Sequence, residues 1–115
     1  MVVDKHRECS YIVVIDDVQF IWDPEKSISN KAKHGVTFEE AATVFSDWLY
    51  LEMADPDHSQ DEERFVALGI SKNCRLLVVC HAVLQDSEIV RIISARQATA
   101  NEECQYGGKT NAGRI

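Results

Sequence analysis

The chain has 115 residues, of which 45% are hydrophobic and 27% charged, a size and composition typical of one soluble globular domain. No apolar stretch approaches the roughly 20 residues that span a bilayer, and no signal-peptide pattern is present, so we expect a cytoplasmic protein. The formal net charge of −7 argues against non-specific attraction to nucleic acid, although it leaves room for a local basic site.

The first strand and helix of the predicted domain follow a segment with little pattern. In residues 1–17 only the apolar stretch from Tyr11 to Ile15 stands out, and it is either an additional strand or part of a loose tail. Val18 to Trp22 is rich in β-branched and aromatic residues and predicts a strand. Asp23 and Pro24 then favour the start of a helix over Pro24–His34, which Gly35 ends.

A second helix is predicted immediately after the first. Thr37 and Glu40 have the spacing of a capping box, in which each side chain bonds to the other residue's amide. Phe38, Ala41, Ala42 and Phe45 follow at the spacing of one buried helical stripe, so we assign them to the core.

The rest of the pattern predicts four strands and a last helix. Aliphatic segments separated by polar turns favour an antiparallel meander over Leu49–Met53, Arg64–Ser71, Leu76–Val83 and Ile89–Arg96. A second capping box, Thr99 with Glu102, opens a short helix that ends at Gly107-Gly108.

The expected fold class is therefore α+β, with two N-terminal helices packed on an antiparallel sheet of about four to five strands and a short C-terminal helix. We expect residues 1–17 to form an N-terminal extension, residues 18–106 the domain, and residues 107–115 a flexible tail. The cysteines Cys9, Cys74, Cys80 and Cys104 lack CxxC spacing, and we expect free thiols. No metal-binding or cofactor-binding motif is present, so we expect neither a metal nor a cofactor.

Charged residues are segregated along the chain. A basic cluster contains Lys26, Lys31, Lys33 and His34, whereas an acidic cluster contains Glu52, Asp55, Asp57, Asp61, Glu62 and Glu63. The pattern fits a protein with a basic partner and a separate anionic ligand, although a solvated loop beside a solvated helix would look the same.

Several motifs in one order carry a family likeness between Phe20 and Tyr106. They are Trp22-Asp23-Pro24, Lys26, Asn30, Lys33-His34-Gly35-Val36, Phe38-Glu39-Glu40-Ala41, Asp55-Pro56-Asp57-His58-Ser59, Glu63-Arg64-Phe65 and Arg91-Ile92-Ile93-Ser94-Ala95-Arg96. In these residues the chain resembles BrnT, the toxin of a bacterial type II toxin–antitoxin module.

The resemblance implies a RelE-like fold and metal-independent cleavage of RNA. It also implies a BrnA-like antitoxin, a ribbon-helix-helix protein through which the toxin would meet DNA only indirectly. The chain departs from the family in its last helix, which carries no Lys or Arg where relatives are basic. This departure favours an alternative, a catalytically degenerate toxin-fold protein that acts as an antitoxin-binding or regulatory module.

Cleaving RNA without a metal requires cations that stabilise the phosphate and groups that move protons. Arginine is the best phosphate ligand because its planar fork donates two parallel hydrogen bonds. Arg91 interrupts an aliphatic strand and is the leading catalytic candidate, the alternatives being a solvent-facing position or a pair with Glu63 or Glu88. Arg96 is a second catalytic candidate, but regular alternation would turn it to the other face unless the strand bends. Arg64 is a candidate RNA contact.

Helix residues supply the remaining cations. Lys26, Asn30 and Lys33 share one helix face, with His34 beside them. We predict catalytic roles for Lys26 and His34, since histidine can exchange protons near neutral pH, and RNA contacts for Asn30 and Lys33. The alternatives are a solvated face for the set and a favourable dipole interaction for His34 at the helix end.

Three further residues have two interpretations each. Glu63 is either a catalytic base or a salt-bridge partner, and Tyr106 either stacks on a base of the RNA or anchors the last helix. His81 lies in an apolar strand, where we expect a hydrogen-bonded core histidine.

Overall fold

The structure is a computed structural model of the chain, and it describes residues 11–15, 17–55, 63–84 and 89–106. Expectations for Cys9, the acidic residues 57, 61 and 62, Glu88 and the tail 107–115 lie outside these ranges. No helix in the described ranges is long and apolar enough to cross a membrane. Cys74, Cys80 and Cys104 are free thiols.

Six strands form one sheet in the described part of the chain. They are β1 (Tyr11–Ile15), β2 (Val18–Trp22), β3 (Leu51–Ala54), β4 (Arg64–Ile70), β5 (Leu76–Leu84) and β6 (Ile89–Gln97), in the order β1-β2-β6-β5-β4-β3. The predicted meander from β3 to β6 is antiparallel throughout. The expectation of an entirely antiparallel sheet of four to five strands is wrong, because β2 lies beside β6 and runs parallel to it. A parallel pair needs a long connection, and here both helices and the meander separate the two strands in sequence.

The first helix, α1, spans Pro24–His34 as predicted. The Asp23 side chain accepts a hydrogen bond from the Glu25 amide at 2.9 Å, and Pro24 occupies the first turn, where its missing N–H costs nothing. Gly35 has a φ of 71°, a conformation that favours glycine, and its amide donates to the Lys31 carbonyl at 2.8 Å.

The second helix, α2, spans Phe38–Ala42 and continues into a 3-10 helix over Thr43–Ser46. Thr37 accepts a hydrogen bond from the Glu40 amide at 3.1 Å, which confirms one half of the predicted capping box. The other half is wrong, because the buried Glu40 carboxylate accepts hydrogen bonds from Arg75 at 2.9 Å and Ser71 at 2.6 Å. The spacing of residues in the sequence could not show that Ser71 and Arg75, which follow β4, contact this carboxylate.

The Glu40 network makes stability depend on pH. Hydrogen bonds from Arg75, with those from Ser71, lower the pKa of Glu40 from 4.5 to about 2 against the opposing effect of burial. Because the folded-state pKa is the lower one, the stabilisation is complete above pH 4.5 and is lost as the pH falls towards 2. We expect Glu40→Gln to lower the free energy of unfolding by about 2 kcal/mol at pH 7 and by less than half of that at pH 3.

Urea denaturation at the two pH values measures this difference. The control is Glu39→Gln, which removes an exposed carboxylate from the same helix and should change little. An equal loss at both pH values would contradict the assigned role of the carboxylate charge.

The core lies between the helices and one face of the sheet. Its largest members are Phe20 and Trp22 from β2 with Phe38 from α2, and the rings of Trp22 and Phe38 meet edge to face at 6.1 Å. The predicted stripe of α2 is confirmed, since Phe38, Ala41 and Ala42 are fully buried and Phe45 packs against them. We call this side of the sheet the core face.

The last helix, α3, covers residues 100–106. Its predicted capping box is complete. The Thr99 amide donates to Glu102 at 2.8 Å, and the Glu102 amide donates to the Thr99 hydroxyl at 3.2 Å.

Candidate functional site

A β-bulge in β6 decides where its arginines lie. Cys80 of β5 pairs with Ser94 and His81 pairs with Ile92, so Ile93 has no partner across β5. The extra residue reverses the alternation of side chains. Ile92 and Ala95, three positions apart, are therefore both on the core face, 2% and 1% exposed. Arg91 and Arg96 consequently lie together on the opposite face, which regular alternation would not allow.

Arg64 shares this face, which we call the arginine face. Arg64 and Arg91 both lie opposite Ala82, one on each side of it, so their Cα atoms are roughly 10 Å apart. Arg96 lies opposite Val78, roughly 13 Å further along β5. The structure thus brings the three predicted arginines to one surface.

Arg96 is engaged by α3. Its Nη1 and Nη2 atoms donate to the two carboxylate oxygens of Glu102, both at 2.9 Å, and this bidentate pair lowers the pKa of Glu102 to about 2. A phosphate could bind the same guanidinium edge only by displacing the carboxylate. Arg96 therefore holds α3 to β6.

A cavity between α1 and β6 collects the predicted helix residues. Its volume is about 180 Å³, and its lining is formed by Lys26, Ser29, Asn30, Lys33, His34, Ile93 and Ser94. Ser94 pairs with Cys80 and so belongs to the arginine face. The cavity, which we call the α1–β6 cavity, therefore opens beside that face, between the positions of Arg91 and Arg96 in β6. Ser29 has no signal in the sequence, whereas Ile93 and Ser94 belong to the family motif but are not predicted to line a site.

Asn30 has a structural position in this cavity. It is 6% exposed, and its Nδ2 donates to the carbonyls of Ala95 at 2.8 Å and Val36 at 2.9 Å, while its Oδ1 accepts from the Ala95 amide at 3.1 Å. The pairing of β2 with β6 ends at Arg91. Asn30 therefore supplies hydrogen bonds to the backbone of β6 beyond the point where β2 ends. Because its amide group is used in this way, the expected RNA contact through Asn30 is not available in this structure.

Lys26, Lys33 and His34 are exposed around the same cavity. Lys33 and His34 also lie in the last turn of α1, where positive charge interacts favourably with the helix dipole. Their common position makes the cavity a basic pocket that could accept an anion.

Glu63 and Tyr106 lie apart from this pocket. Glu63 is exposed one residue before β4, and its carbonyl accepts from the Val83 amide at 3.1 Å, so alternation directs its side chain away from the arginine face. The Tyr106 hydroxyl donates to Asp47 at 2.6 Å, and burial together with this bond raises the pKa of Tyr106 to about 12. Of its two predicted uses, anchoring α3 is the one that the geometry shows.

His81 is a core histidine, as predicted. It is 1% exposed, its Nδ1 lies 3.2 Å from the Val79 carbonyl, and its ring contacts those of Phe45 and Phe65. Burial lowers the pKa of His81. Across the residues that the structure describes, no three His, Cys, Asp or Glu side chains are grouped so that they could hold a metal ion.

A family model described as "Ribonuclease toxin, BrnT, of type II toxin-antitoxin system" matches residues 22–102, which is more than half of the chain. The solved ribonuclease toxin BrnT of Brucella abortus is 26% identical, with 68% of this chain and 92% of that chain covered and a TM-score of 0.49. No curated protein matches. On the strength of the family match over residues 22–102, the chain belongs to the BrnT family of ribonuclease toxins of type II toxin–antitoxin systems.

Proposed function

We propose that this chain is a metal-independent RNA endonuclease of the cytoplasm, and that the α1–β6 cavity holds the phosphate that is cut. One observation carries the proposal. Ser94 lines the cavity and also lies on the arginine face, so the helix cations and Arg91 border one continuous surface. We further propose a RelE-like relationship for the fold, with residues 18–106 as the toxin domain.

The residues at this surface can supply the chemistry. The 2′-hydroxyl of the RNA attacks the adjacent phosphorus, its proton passes to a base, and the bond to the 5′ oxygen breaks as that oxygen receives a proton. Lys26 and Lys33 attract the phosphate into the cavity, and Arg91 stabilises the charge of the pentacoordinate phosphate. His34, exposed at the rim, serves as the base that takes the proton of the 2′-hydroxyl, and water supplies the proton that the 5′ oxygen receives.

The other predicted residues have supporting roles. Arg64 lies across β5 from Arg91, since both pair with Ala82, and it contacts a flanking phosphate. Asn30 positions α1 against β6 without touching the RNA. We assign no step of the reaction to Arg96, which holds α3, to Tyr106, which anchors α3 through Asp47, or to Glu63, which is directed away from the arginine face.

We propose a BrnA-like ribbon-helix-helix protein as the antitoxin that neutralises this toxin. The type II assignment of the family supports a protein antitoxin. The toxin itself would meet DNA only through this partner.

Cleavage of total RNA by the purified chain in EDTA tests the activity. We expect cleavage to persist in EDTA and to fall at least tenfold in the Lys26→Ala/Lys33→Ala variant, because two phosphate contacts are removed. Lys31→Ala is the control, since Lys31 is exposed on the same helix but does not line the cavity. Loss of cleavage in EDTA would refute metal independence. An equal loss of cleavage in Lys31→Ala would refute the binding of the phosphate in the α1–β6 cavity.

A degenerate, antitoxin-binding module is the second candidate function. It is favoured by α3, in which residues 100–106 carry no Lys or Arg. Expression without an antitoxin separates the two functions, because an active nuclease arrests growth and a degenerate one is tolerated.

A further inference from the structure

A second cavity lies on the core face, away from the arginines. Its volume is about 250 Å³, and its walls are four rings and three valines, the rings being those of Phe20, Phe45, Tyr50 and His81. Phe45 is central, with ring centroids 5.2 Å from Phe20, 5.4 Å from Tyr50 and 4.8 Å from His81. The cavity is smaller than the sites that hold drug-sized ligands and suits a single side chain.

Glu52 is the one acidic residue of this lining. Its side chain is 33% exposed, which puts the carboxylate towards the opening. The Tyr50 hydroxyl donates to Glu52 Oε1 at 3.2 Å, and His81 Nε2 lies 3.7 Å from the same oxygen. Both of these neighbours lie on the same carboxylate oxygen of Glu52.

The lining therefore has the character of a cation site. Burial lowers the pKa of His81, which favours a neutral ring at pH 7. Burial and the nearby Glu52 raise the pKa of Tyr50, so the phenol remains protonated. Neither Lys nor Arg occurs among the described lining residues. A carboxylate beside aromatic rings is an environment that attracts a desolvated cation.

We propose that this cavity binds an arginine side chain of a protein partner. A guanidinium group stacks on aromatic rings and donates hydrogen bonds to a carboxylate, whereas an ammonium group does not offer the planar match. Arginine is also among the residues that most often dominate the energy of a protein interface. The acidic surroundings argue against RNA at this site, because Glu52 and the exposed Glu63 on the same side would repel its phosphates.

This inference rests on the proposed function in one respect, since the partner we expect is the antitoxin. The binding preference itself needs neither nuclease activity nor the antitoxin. A nuclease-inactive chain could still bind arginine here, and an active nuclease could fail to do so, which makes the two failures distinguishable.

The test is an NMR titration of the full chain with N-acetyl-arginine amide, its neutral citrulline analogue and guanosine. We expect the arginine probe to shift the amide signals of Tyr50, Glu52 and His81. Binding should weaken about tenfold in Glu52→Gln, which keeps an oxygen for the Tyr50 hydrogen bond, and also weaken about tenfold for citrulline. Glu63→Gln removes a nearby charge outside the lining and should leave binding unchanged.

Four outcomes would overturn the proposal. Two concern the probes: binding of guanosine in place of the arginine probe, and equally tight binding of arginine and citrulline. The other two are an equal loss of binding in Glu52→Gln and Glu63→Gln, and shifts confined to residues outside the cavity. RNA cleavage by Glu52→Gln should equal that of the unaltered chain.

Discussion

Replacing Arg91 with alanine should lower the rate of RNA cleavage by about 100-fold to 1,000-fold. Removing one preorganised donor to the charge that develops in a transition state has an effect of this order. Arg91 lies on the arginine face beside the α1–β6 cavity, and the bulge at Ile93 gives it that position relative to Ser94. Single-turnover cleavage of a defined RNA measures the chemical step separately from binding.

Two further variants show whether the arginine fork matters. Arg91→Lys keeps the charge but not the bidentate geometry, and we expect it to recover only part of the lost rate. Arg64→Ala should have a smaller effect, about tenfold, because Arg64 lies in β4, two strands from β6 and its cavity, and contributes a flanking contact. If Arg91→Ala cleaves as fast as the unaltered chain, Arg91 has no part in the reaction.

Replacing Asn30 with alanine should lower the free energy of unfolding by about 3 kcal/mol. The change removes three hydrogen bonds and leaves the amide and carbonyl of Ala95 without a partner in a buried place. Because these bonds hold α1 against β6, cleavage should fall together with stability. The midpoint of urea denaturation measures the change, provided that the slope of the free energy of unfolding against urea concentration stays the same.

Ser29→Ala is the matched control for Asn30. Ser29 precedes Asn30 and lines the same cavity but is exposed, so its replacement should change stability by less than about 0.5 kcal/mol. An Asn30→Ala variant as stable as the unaltered chain would mean that Asn30 faces solvent. The original expectation of an RNA contact would then regain support.

The sequence predicted best those elements whose signals are local. The signals for α1 lie at its ends, with Asp23 and Pro24 at the start and Gly35 directly after the last residue. Thr99 and Glu102 mark the start of α3 in the same way. The meander from β3 to β6 joins neighbours in sequence, so its antiparallel pairing followed from alternating segments and turns. The parallel pairing of β2 with β6 depends on a long crossover, which no local pattern encodes.

The site depended on features that the pattern could not show. Ile92-Ile93-Ser94 contains neither glycine nor proline, so nothing marked the bulge that turns Arg91 and Arg96 to one face. A helical projection placed Asn30 on the face of Lys26 and Lys33, but the contact with Ala95 lies 65 residues away in sequence. No signal in the sequence pairs Arg96 with Glu102, for which only the capping role is predicted. One carboxylate oxygen serves both the cap and the ion pair.

Part of the charge segregation of the sequence falls within the described residues. Lys26, Lys33 and His34 border the α1–β6 cavity, whereas Glu52 lies in the aromatic cavity of the core face. We infer that the basic cavity is suited to RNA and the aromatic one to a basic protein partner. A toxin that meets its substrate and its partner on different surfaces could be inhibited without direct competition between them.

An NMR titration with a 2′-O-methylated RNA tetranucleotide tests most directly whether the α1–β6 cavity holds the phosphate. The methyl group blocks the attacking hydroxyl, so the complex persists without cleavage. We expect the amide signals of Ser94, Lys33 and His34 to shift, and the shifts to decrease in the Lys26→Ala/Lys33→Ala variant. Shifts at Glu52 and His81, with Ser94 and the α1 signals unchanged, would contradict the account.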